Sequence, residues 1–86
     1  MKYFVYIIYS ETSDKYYKGF STQPHKRLLQ HNNKESRYTS SFTPWKLIYI
    51  QELGTKTEAL RREKTLKKYS KAQILSLIKT PLNSMS

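Results

Sequence analysis

Apolar and aromatic residues are concentrated in three segments of the chain, and each segment predicts a β-strand. Tyr3–Tyr9 is aromatic and β-branched throughout, without polar alternation, which predicts a central strand covered on both faces. Lys15–Phe20 has the composition of a second strand, and Trp45–Leu53 that of a third. The chain is therefore expected to contain three short strands, two of them close together near its start.

The first two predicted strands are separated only by the polar, turn-forming residues 10–14. Such a short connection favours an antiparallel hairpin. With Tyr9 placed opposite Asp14, this hairpin predicts that Tyr6 lies opposite Tyr17.

Two segments carry the start signals of helices. Thr22 can cap a helix over about Gln23–Asn32, because Pro24 is tolerated in the first turn, where the backbone donors are unpaired. Thr55–Glu58 fits the capping-box pattern and predicts a second helix that extends to about Tyr69.

A third helix is predicted from a second capping box, Ser70–Gln73, and from an apolar stripe that ends before Pro81: Ile74, Leu75, Leu77 and Ile78. Residues 33–44 are polar and rich in Ser and Thr, which predicts an exposed loop. The resulting order, β-β-α-β-α-α, indicates a single α+β domain over residues 1–80, followed by a loose tail over residues 81–86.

Length and composition limit the fold to one modest core. The chain has 86 residues, 37% of them hydrophobic, and no cysteine, so neither disulfides nor a thiolate zinc site can add stability. The longest apolar run is far shorter than the roughly 18–20 residues that span a bilayer. We therefore expect no membrane helix and no signal peptide, and a location in the reducing cytoplasm.

The charge balance favours a polyanionic partner. Sixteen Lys and Arg residues against six Asp and Glu residues give a net charge of +10, which fits DNA or RNA without distinguishing them. A basic stripe on the second predicted helix and the start of the third fits phosphate contact, and equally a solvated helix face. Its members are Lys56, Arg61, Arg62, Lys64, Lys67, Lys68 and Lys71.

One acidic residue interrupts the apolar side of the second predicted helix. At ~100° per residue, Glu63 projects from near the middle of an arc formed by Ala59, Leu60, Leu66 and Tyr69. An ionised carboxylate is costly to bury unless it is paired or binds a cation. The partner of Glu63 is therefore either a buried Arg or Lys, in a structural salt bridge, or a hard divalent cation such as Mg²⁺.

Further polar and aromatic side chains are candidates for chemistry. Arg27 and His31, at i and i+4, share one helix face, where they could bind a phosphate and accept a proton; a solvated charge and a surface histidine are the alternatives. Tyr6 and Tyr17 could relay a proton or position a nucleophile, or simply pack in the core. Gly19 suggests a close backbone approach or an unusual dihedral at the end of the second strand.

These residues, in this order, resemble the motifs of the GIY-YIG nuclease superfamily, in particular its short bacterial single-domain branch, which is related to the N-terminal catalytic domain of the excision-repair nuclease. The resemblance covers about residues 3–69. Phe4–Tyr6 corresponds to the first motif and Tyr17–Gly19 to the second. Both motif tyrosines and the last glycine are retained, whereas the first glycine and the second isoleucine are not.

The resemblance continues into two helices. The segment from Thr22 through Arg27 to His31 resembles the family's helix that carries an arginine and, four residues later, a histidine or tyrosine. Glu58–Glu63 resembles its metal-binding helix, in which the second glutamate holds the ion. Asn83 is the nearest candidate for a further asparagine of the family, and its role stays open.

The resemblance implies a three-stranded antiparallel sheet flanked by helices and an endonuclease that acts on DNA with one Mg²⁺ or Mn²⁺ ion. By the same resemblance, Glu63 would hold the ion, Arg27 would stabilise the phosphate, and Tyr6 with His31 would activate or position the water, supported by Tyr17. The residues expected to contact the nucleic acid are Lys18, Arg61, Arg62, Lys64, Lys67 and Lys68.

Two other functions fit the same sequence. One is a non-catalytic module that binds DNA or RNA through the same basic face. The other is a docking domain for an acidic protein partner, with the loop over residues 33–44 and exposed aromatic side chains as contacts. Because no second domain supplies targeting, we expect low sequence specificity.

Overall fold

The computed structural model describes residues 2–35 and 37–85 and has the predicted order of strands and helices. Its elements are β1 (Tyr3–Ser10), β2 (Lys15–Ser21), α1 (Pro24–Asn32), β3 (Lys46–Leu53), α2 (Lys56–Leu66) and α3 (Lys71–Leu77). The strands form one antiparallel sheet in the order β2-β1-β3, flanked by the helices. The predicted α+β class is therefore confirmed.

β1 lies at the centre of the sheet and is covered on both faces, as its uninterrupted apolar composition predicts. Alternate side chains of a strand point to opposite faces. Val5 and Ile7 belong to one core, with Tyr49, Ala59, Leu66, Ile74 and Leu77. Tyr6 and Ile8 belong to another, with Trp45, Leu47, Ile50 and the partly buried Leu28 and Phe42. The sheet thus separates an α2–α3 face from an α1 face.

The register of the hairpin differs from the predicted one. Tyr6 pairs with Gly19, so the predicted pairing of Tyr6 with Tyr17 is wrong. Asp14 has a left-handed φ of 50°, a conformation that Asp tolerates and that belongs to turns. Because Asp14 lies in the turn and β1 continues to Ser10, every pair shifts by two residues along β2.

The start of α1 also differs. The helix begins at Pro24, and its N-cap residue is Gln23, so the prediction that Thr22 caps it is wrong. Proline is favoured at the first helical position, which makes the preceding residue the N-cap. The backbone N–H of Gln23 donates to the Ser21 hydroxyl at 2.9 Å.

The other two helices begin as predicted. Ser70–Gln73 forms a complete capping box. The Thr55 hydroxyl accepts the backbone N–H of Glu58 at 3.1 Å and donates to its carboxylate at 3.0 Å. α2 ends at Leu66, and a further turn reaches Tyr69, whose N–H donates to the Leu66 carbonyl at 3.0 Å.

Two leucines that the sequence places on apolar helix faces are exposed. They are Leu60 on α2 and Leu75 on α3. Neighbouring residues are ~100° apart around a helix, so Leu60 turns away from the sheet when Ala59 is buried, and Leu75 turns away beside the buried Ile74. These two members of the predicted apolar arc and apolar stripe therefore do not face the core.

Within the predicted loop over residues 33–44, the part around Thr39 is folded against the domain. Thr39 is completely buried, and a 3₁₀ helix follows it at Ser40–Phe42. The indole Nε1 of Trp45 donates to the Thr39 carbonyl at 2.9 Å. The Asn32 side chain accepts the Trp45 N–H at 2.6 Å and donates to its carbonyl at 3.0 Å. The prediction of an exposed loop is therefore wrong at Thr39.

The end of the chain is also attached, so the prediction of a loose tail is wrong at Asn83. Its buried side chain accepts the Ile50 N–H at 3.1 Å and donates to the carbonyls of Ile48 at 3.1 Å and Ile78 at 3.0 Å. The Ser84 N–H donates to the Ile50 carbonyl at 2.8 Å. These bonds lie along the outer edge of β3.

Candidate active site

Three buried side chains form a hydrogen-bonded chain on the α1 face. Tyr6 Oη and His31 Nε2 are 3.0 Å apart, and His31 Nδ1 lies 2.8 Å from Thr39 Oγ1. All three residues are at most 1% exposed. Both ring nitrogens of His31 are therefore engaged, which fixes the imidazole orientation, and the alternative of a surface histidine is wrong.

Burial keeps this chain uncharged near neutral pH. Burial raises the pKa of Tyr6 to about 12; the Tyr17 phenol and the Glu63 carboxylate add to this effect, and Arg27 opposes it. Burial, followed by the charge of Arg27, lowers the pKa of His31 to about 4. Tyr6 is therefore a neutral phenol and His31 a neutral imidazole.

Gly19 provides the space that the Tyr6 ring occupies. A Cβ atom at Gly19 would lie 2.7 Å from Tyr6 Oη and 2.8 Å from Cζ, well inside van der Waals contact. No described glycine has a positive φ. The predicted close approach at Gly19 is confirmed, and the predicted unusual dihedral is wrong.

Tyr17 lies beside the hydrogen-bonded chain. Its ring centroid is 5.0 Å from that of His31, in an edge-to-face arrangement, and 6.5 Å from that of Tyr6. It is half-buried and also contacts Trp45, at a centroid distance of 6.5 Å. Although Tyr17 is not paired with Tyr6 in the sheet, the two phenols therefore still lie at one site.

Arg27 lies one helical turn before His31 on α1. Its charge affects the pKa of both Tyr6 and His31, which places its guanidinium at the same site. Nη1 donates to Gln30 Oε1 at 2.8 Å, and a guanidinium has further donors for a phosphate. Arg27 also lines a polar cleft of about 270 Å³, together with Ser21, Thr22, Gln23, Lys26 and Gln30.

Glu63 reaches the site from α2. Its side chain is 18% exposed, and Oε1 lies 3.5 Å from Nζ of the exposed Lys67. Its charge contributes to the raised pKa of Tyr6, so it lies within electrostatic reach of the hydrogen-bonded chain. The cation that pairs with Glu63 is thus an exposed lysine, not the buried one of the salt-bridge alternative.

A single carboxylate at this position fits a divalent cation. Within residues 2–35 and 37–85, no three His, Cys, Asp or Glu side chains converge on one point. Mg²⁺ typically uses one or two carboxylates and completes its shell with water and substrate phosphates. An i,i+4 helix pair such as Glu63–Lys67 typically contributes only about 0.3–0.5 kcal/mol, so Lys67 does not prevent Glu63 from binding a cation.

The predicted nucleic-acid contacts are distributed over several surfaces. Lys18 pairs with Ile7, which places it on the α2–α3 face, where burial lowers its pKa. Arg62 donates to Gln51 Oε1 at 3.0 Å, and its guanidinium lies 5.9 Å from the centre of the Tyr69 ring. Three predicted contacts are exposed without these engagements: Arg61 and Lys64 on α2, and Lys68 in the turn that follows it.

Thr39 and Trp45 were not predicted as parts of the site. Thr39 is one of several Ser and Thr residues in a polar segment, and no local pattern distinguishes it from its neighbours. Trp45 is the only tryptophan, and its indole N–H requires a partner when it is buried. The need of the Trp45 indole for an acceptor could therefore have indicated that a segment of the loop lies against the start of β3.

A family model described as the GIY-YIG catalytic domain matches residues 2–75. The chain belongs to the GIY-YIG family. The matched range includes the five predicted catalytic residues, and it ends before Asn83. These five residues are Tyr6, Tyr17, Arg27, His31 and Glu63.

Other GIY-YIG relatives carry the name UPF0213. A UPF0213 protein of Staphylococcus epidermidis is 37% identical over 78 residues, which cover 90% of this chain and 94% of the relative. One of Syntrophus aciditrophicus is 40% identical over 81 residues, 91% of each chain. The solution NMR structure of a UPF0213 protein from Bacillus halodurans matches 99% of this chain and 90% of that one, with a TM-score of 0.59 and 26% identity.

GIY-YIG nucleases act on DNA, and this chain therefore belongs to a family of DNA nucleases. Among the described residues, no helix combines the length and the apolar composition that crossing a bilayer requires.

Proposed function

We propose that this GIY-YIG domain is an endonuclease that hydrolyses DNA phosphodiester bonds with one Mg²⁺ or Mn²⁺ ion. The observation that carries the proposal is the buried hydrogen bond between Tyr6 and His31, with Arg27 beside it and Glu63 within electrostatic reach. A proton acceptor, a phosphate-binding cation and a carboxylate for a metal ion are the groups that this hydrolysis needs.

Tyr6 and His31 form a proton relay. Because its pKa is raised to about 12, Tyr6 is not a free base at neutral pH. It can take a proton from the attacking water only as it passes its own proton to His31 Nε2, 3.0 Å away. In the tautomer that allows this transfer, His31 Nδ1–H donates to Thr39 Oγ1.

The charged side chains act on the phosphate. Arg27 presents a planar set of N–H donors that matches two phosphate oxygens and stabilises the negative charge that develops on them. A divalent ion held by Glu63, when it is bound, supplies Lewis-acid stabilisation of that charge. Tyr17 packs against the rings of Tyr6 and His31 and keeps them in place.

Nicking of supercoiled plasmid tests the proposal with wild-type protein, Glu63→Gln and Glu58→Gln. In Mg²⁺ or Mn²⁺ we expect wild type to nick, chelator to abolish nicking, and Glu63→Gln to lower the rate at least about 100-fold, because glutamine keeps the shape but not the charge. Glu58→Gln is the matched control, since Glu58 lies in the exposed first turn of the same helix and its replacement keeps the oxygen that accepts from Thr55.

Calorimetry with Mn²⁺ provides a readout that is independent of cleavage. Wild-type and Glu58→Gln proteins are expected to bind the ion, and Glu63→Gln to bind it at least about 10-fold more weakly, because the replaced side chain is the proposed ligand. Nicking that persists in chelator and in Glu63→Gln would contradict the proposal.

Binding to nucleic acid without cleavage is a second candidate function. It is supported by the net charge of +10 and by the exposed basic residues Arg61 and Lys64 on α2 and Lys68 just after it. It predicts affinity that is indifferent to chelator and falls linearly with the logarithm of the salt concentration. Salt-sensitive binding by a protein that nicks no plasmid would favour this function.

A further inference from the structure

Aromatic rings lead from the candidate active site to the protein surface. Tyr17 contacts His31 at a centroid distance of 5.0 Å on its inner side and Tyr38 at 6.0 Å on its outer side. Tyr38 is 65% exposed, although the next residue, Thr39, is completely buried. One large ring is therefore presented to solvent directly beside the proposed reaction centre.

The backbone around Tyr38 is held in place. Thr39, its neighbour, is bound to His31 Nδ1 at 2.8 Å through its side chain and to Trp45 Nε1 at 2.9 Å through its carbonyl. Phe42 packs edge-on against Tyr38, with 6.0 Å between the centroids. The exposed ring thus has a fixed position relative to His31, and little ordering cost remains when a ligand binds it.

Basic residues lie in the neighbourhood of the same ring. Lys15 Nζ lies 5.4 Å from the centre of the Phe42 ring, Arg37 precedes Tyr38 and is exposed, and Arg27 lies at the site itself. An aromatic face between cations is the arrangement with which proteins bind single-stranded nucleic acid, because bases stack on the ring and phosphates lie on the charges.

We propose that Tyr38 is a stacking platform for an unpaired base of the DNA strand whose phosphate is bound at Arg27. The base has to be unpaired, because both faces of a base within a duplex are already covered by its neighbours. This inference rests on the proposed nuclease function and adds a preference for substrates that are single-stranded, or locally opened, beside the reacting phosphate.

Fluorescence titration in chelator tests the inference without cleavage. The probe is a single-stranded DNA oligonucleotide that contains 2-aminopurine, compared with its blunt duplex. We expect Tyr38→Ala to weaken single-strand binding roughly 5- to 150-fold, the range for loss of one base stack, with little change for the duplex. Tyr38→Phe keeps the ring and should bind and quench the probe like wild type.

Leu29→Ala is the matched control, because Leu29 is 63% exposed and lies on α1. It should bind both probes like wild type. The slope of log affinity against log salt should be the same in all variants, since none removes a charge. Circular dichroism verifies that each variant is folded.

Two outcomes would overturn the inference. The first is binding of the single strand by Tyr38→Ala as tightly as by wild type. The second is loss of affinity by the same factor for both probes, which would indicate a general structural effect. If either occurs while wild type nicks plasmid, only the stacking role fails. If wild type neither binds the probes nor nicks plasmid, the proposed function fails with it.

Discussion

At the scale of single residues, the site depends on Gly19, because this residue has no side chain. Tyr6 pairs with Gly19 across the hairpin, and its phenol occupies the volume where a Cβ atom would lie. The phenol cannot move aside cheaply, because it is buried and hydrogen bonded to His31. The position of Tyr6, in the first motif, therefore requires a glycine at position 19, in the second motif.

Gly19→Ala should therefore separate Tyr6 from His31. The added methyl group overpacks the site, which costs about 1–3 kcal/mol of unfolding free energy, and nicking should fall more than stability alone explains. Thermal unfolding and plasmid nicking measure the two effects. Gly54→Ala is the control: its Cβ would meet only the end of the exposed Glu58 side chain, at 3.4 Å, so wild-type stability and nicking are expected.

The sequence predicted which of these side chains lie close together better than it predicted what surrounds them. The i,i+4 spacing placed Arg27 and His31 on one face, because helix geometry is local. The burial of His31 was not predictable in this way, since it depends on contact with Thr39, which lies eight positions further along the chain. The roles of these side chains in cleavage stay predictions.

At the scale of elements, strong periodicity predicted type and order, whereas register and ends depended on single residues. The left-handed Asp14 shifted the hairpin by two positions, and Pro24 moved the N-cap from Thr22 to Gln23. Asn83 shows a third limit, because its contacts join the chain end to β3 over more than thirty positions of sequence. No local pattern reports such a contact.

Asn83→Ala should destabilise the domain by about 2–3 kcal/mol, because it leaves the Ile50 N–H and the Ile48 carbonyl without their present partner. Ser84→Ala should stay within about 0.5 kcal/mol of wild type, since Ser84 contributes its backbone N–H. Urea unfolding measures both changes. At temperatures where Asn83→Ala is folded it should still nick; loss of nicking by a folded Asn83→Ala protein would instead indicate a role in chemistry.

At the scale of the whole molecule, the sheet separates the hydrogen-bonded chain from the helix that carries Glu63. The hydrogen-bonded chain lies on the α1 face, and the helix that carries Glu63 packs on the other face. This arrangement buries an imidazole inside a strongly basic protein. Among the described residues, His31 interacts with Tyr6 on β1, Tyr17 on β2, Thr39 and Arg27 on α1, and none of these is a carboxylate.

The stability of the molecule should consequently fall in mild acid. His31 has a pKa of about 4 when folded, against 6.5 for an unperturbed histidine. Below pH ~6.5 His31 is protonated in the unfolded chain but still neutral in the folded protein. The free energy of unfolding therefore falls as the pH falls towards ~4, and the decrease then levels off. The loss is on the order of 3 kcal/mol.

Urea unfolding between pH 7 and pH 4 measures this loss, and His31→Gln removes the titrating group while keeping polar atoms in the site. The variant should lose less stability than wild type over this range. Parallel curves for the two proteins would show that other groups cause the acid sensitivity.

The attachment of the tail has a further consequence for how copies of this protein meet one another. β3 is an outer strand. The outward backbone groups of such a strand, when they are unpaired, can pair with a strand from another copy, which is the usual starting point of sheet aggregation. Asn83 and Ser84 occupy those groups at Ile48 and Ile50 like a short fourth strand. The end of the chain thus protects the edge and helps to keep a small, tyrosine-rich domain dispersed.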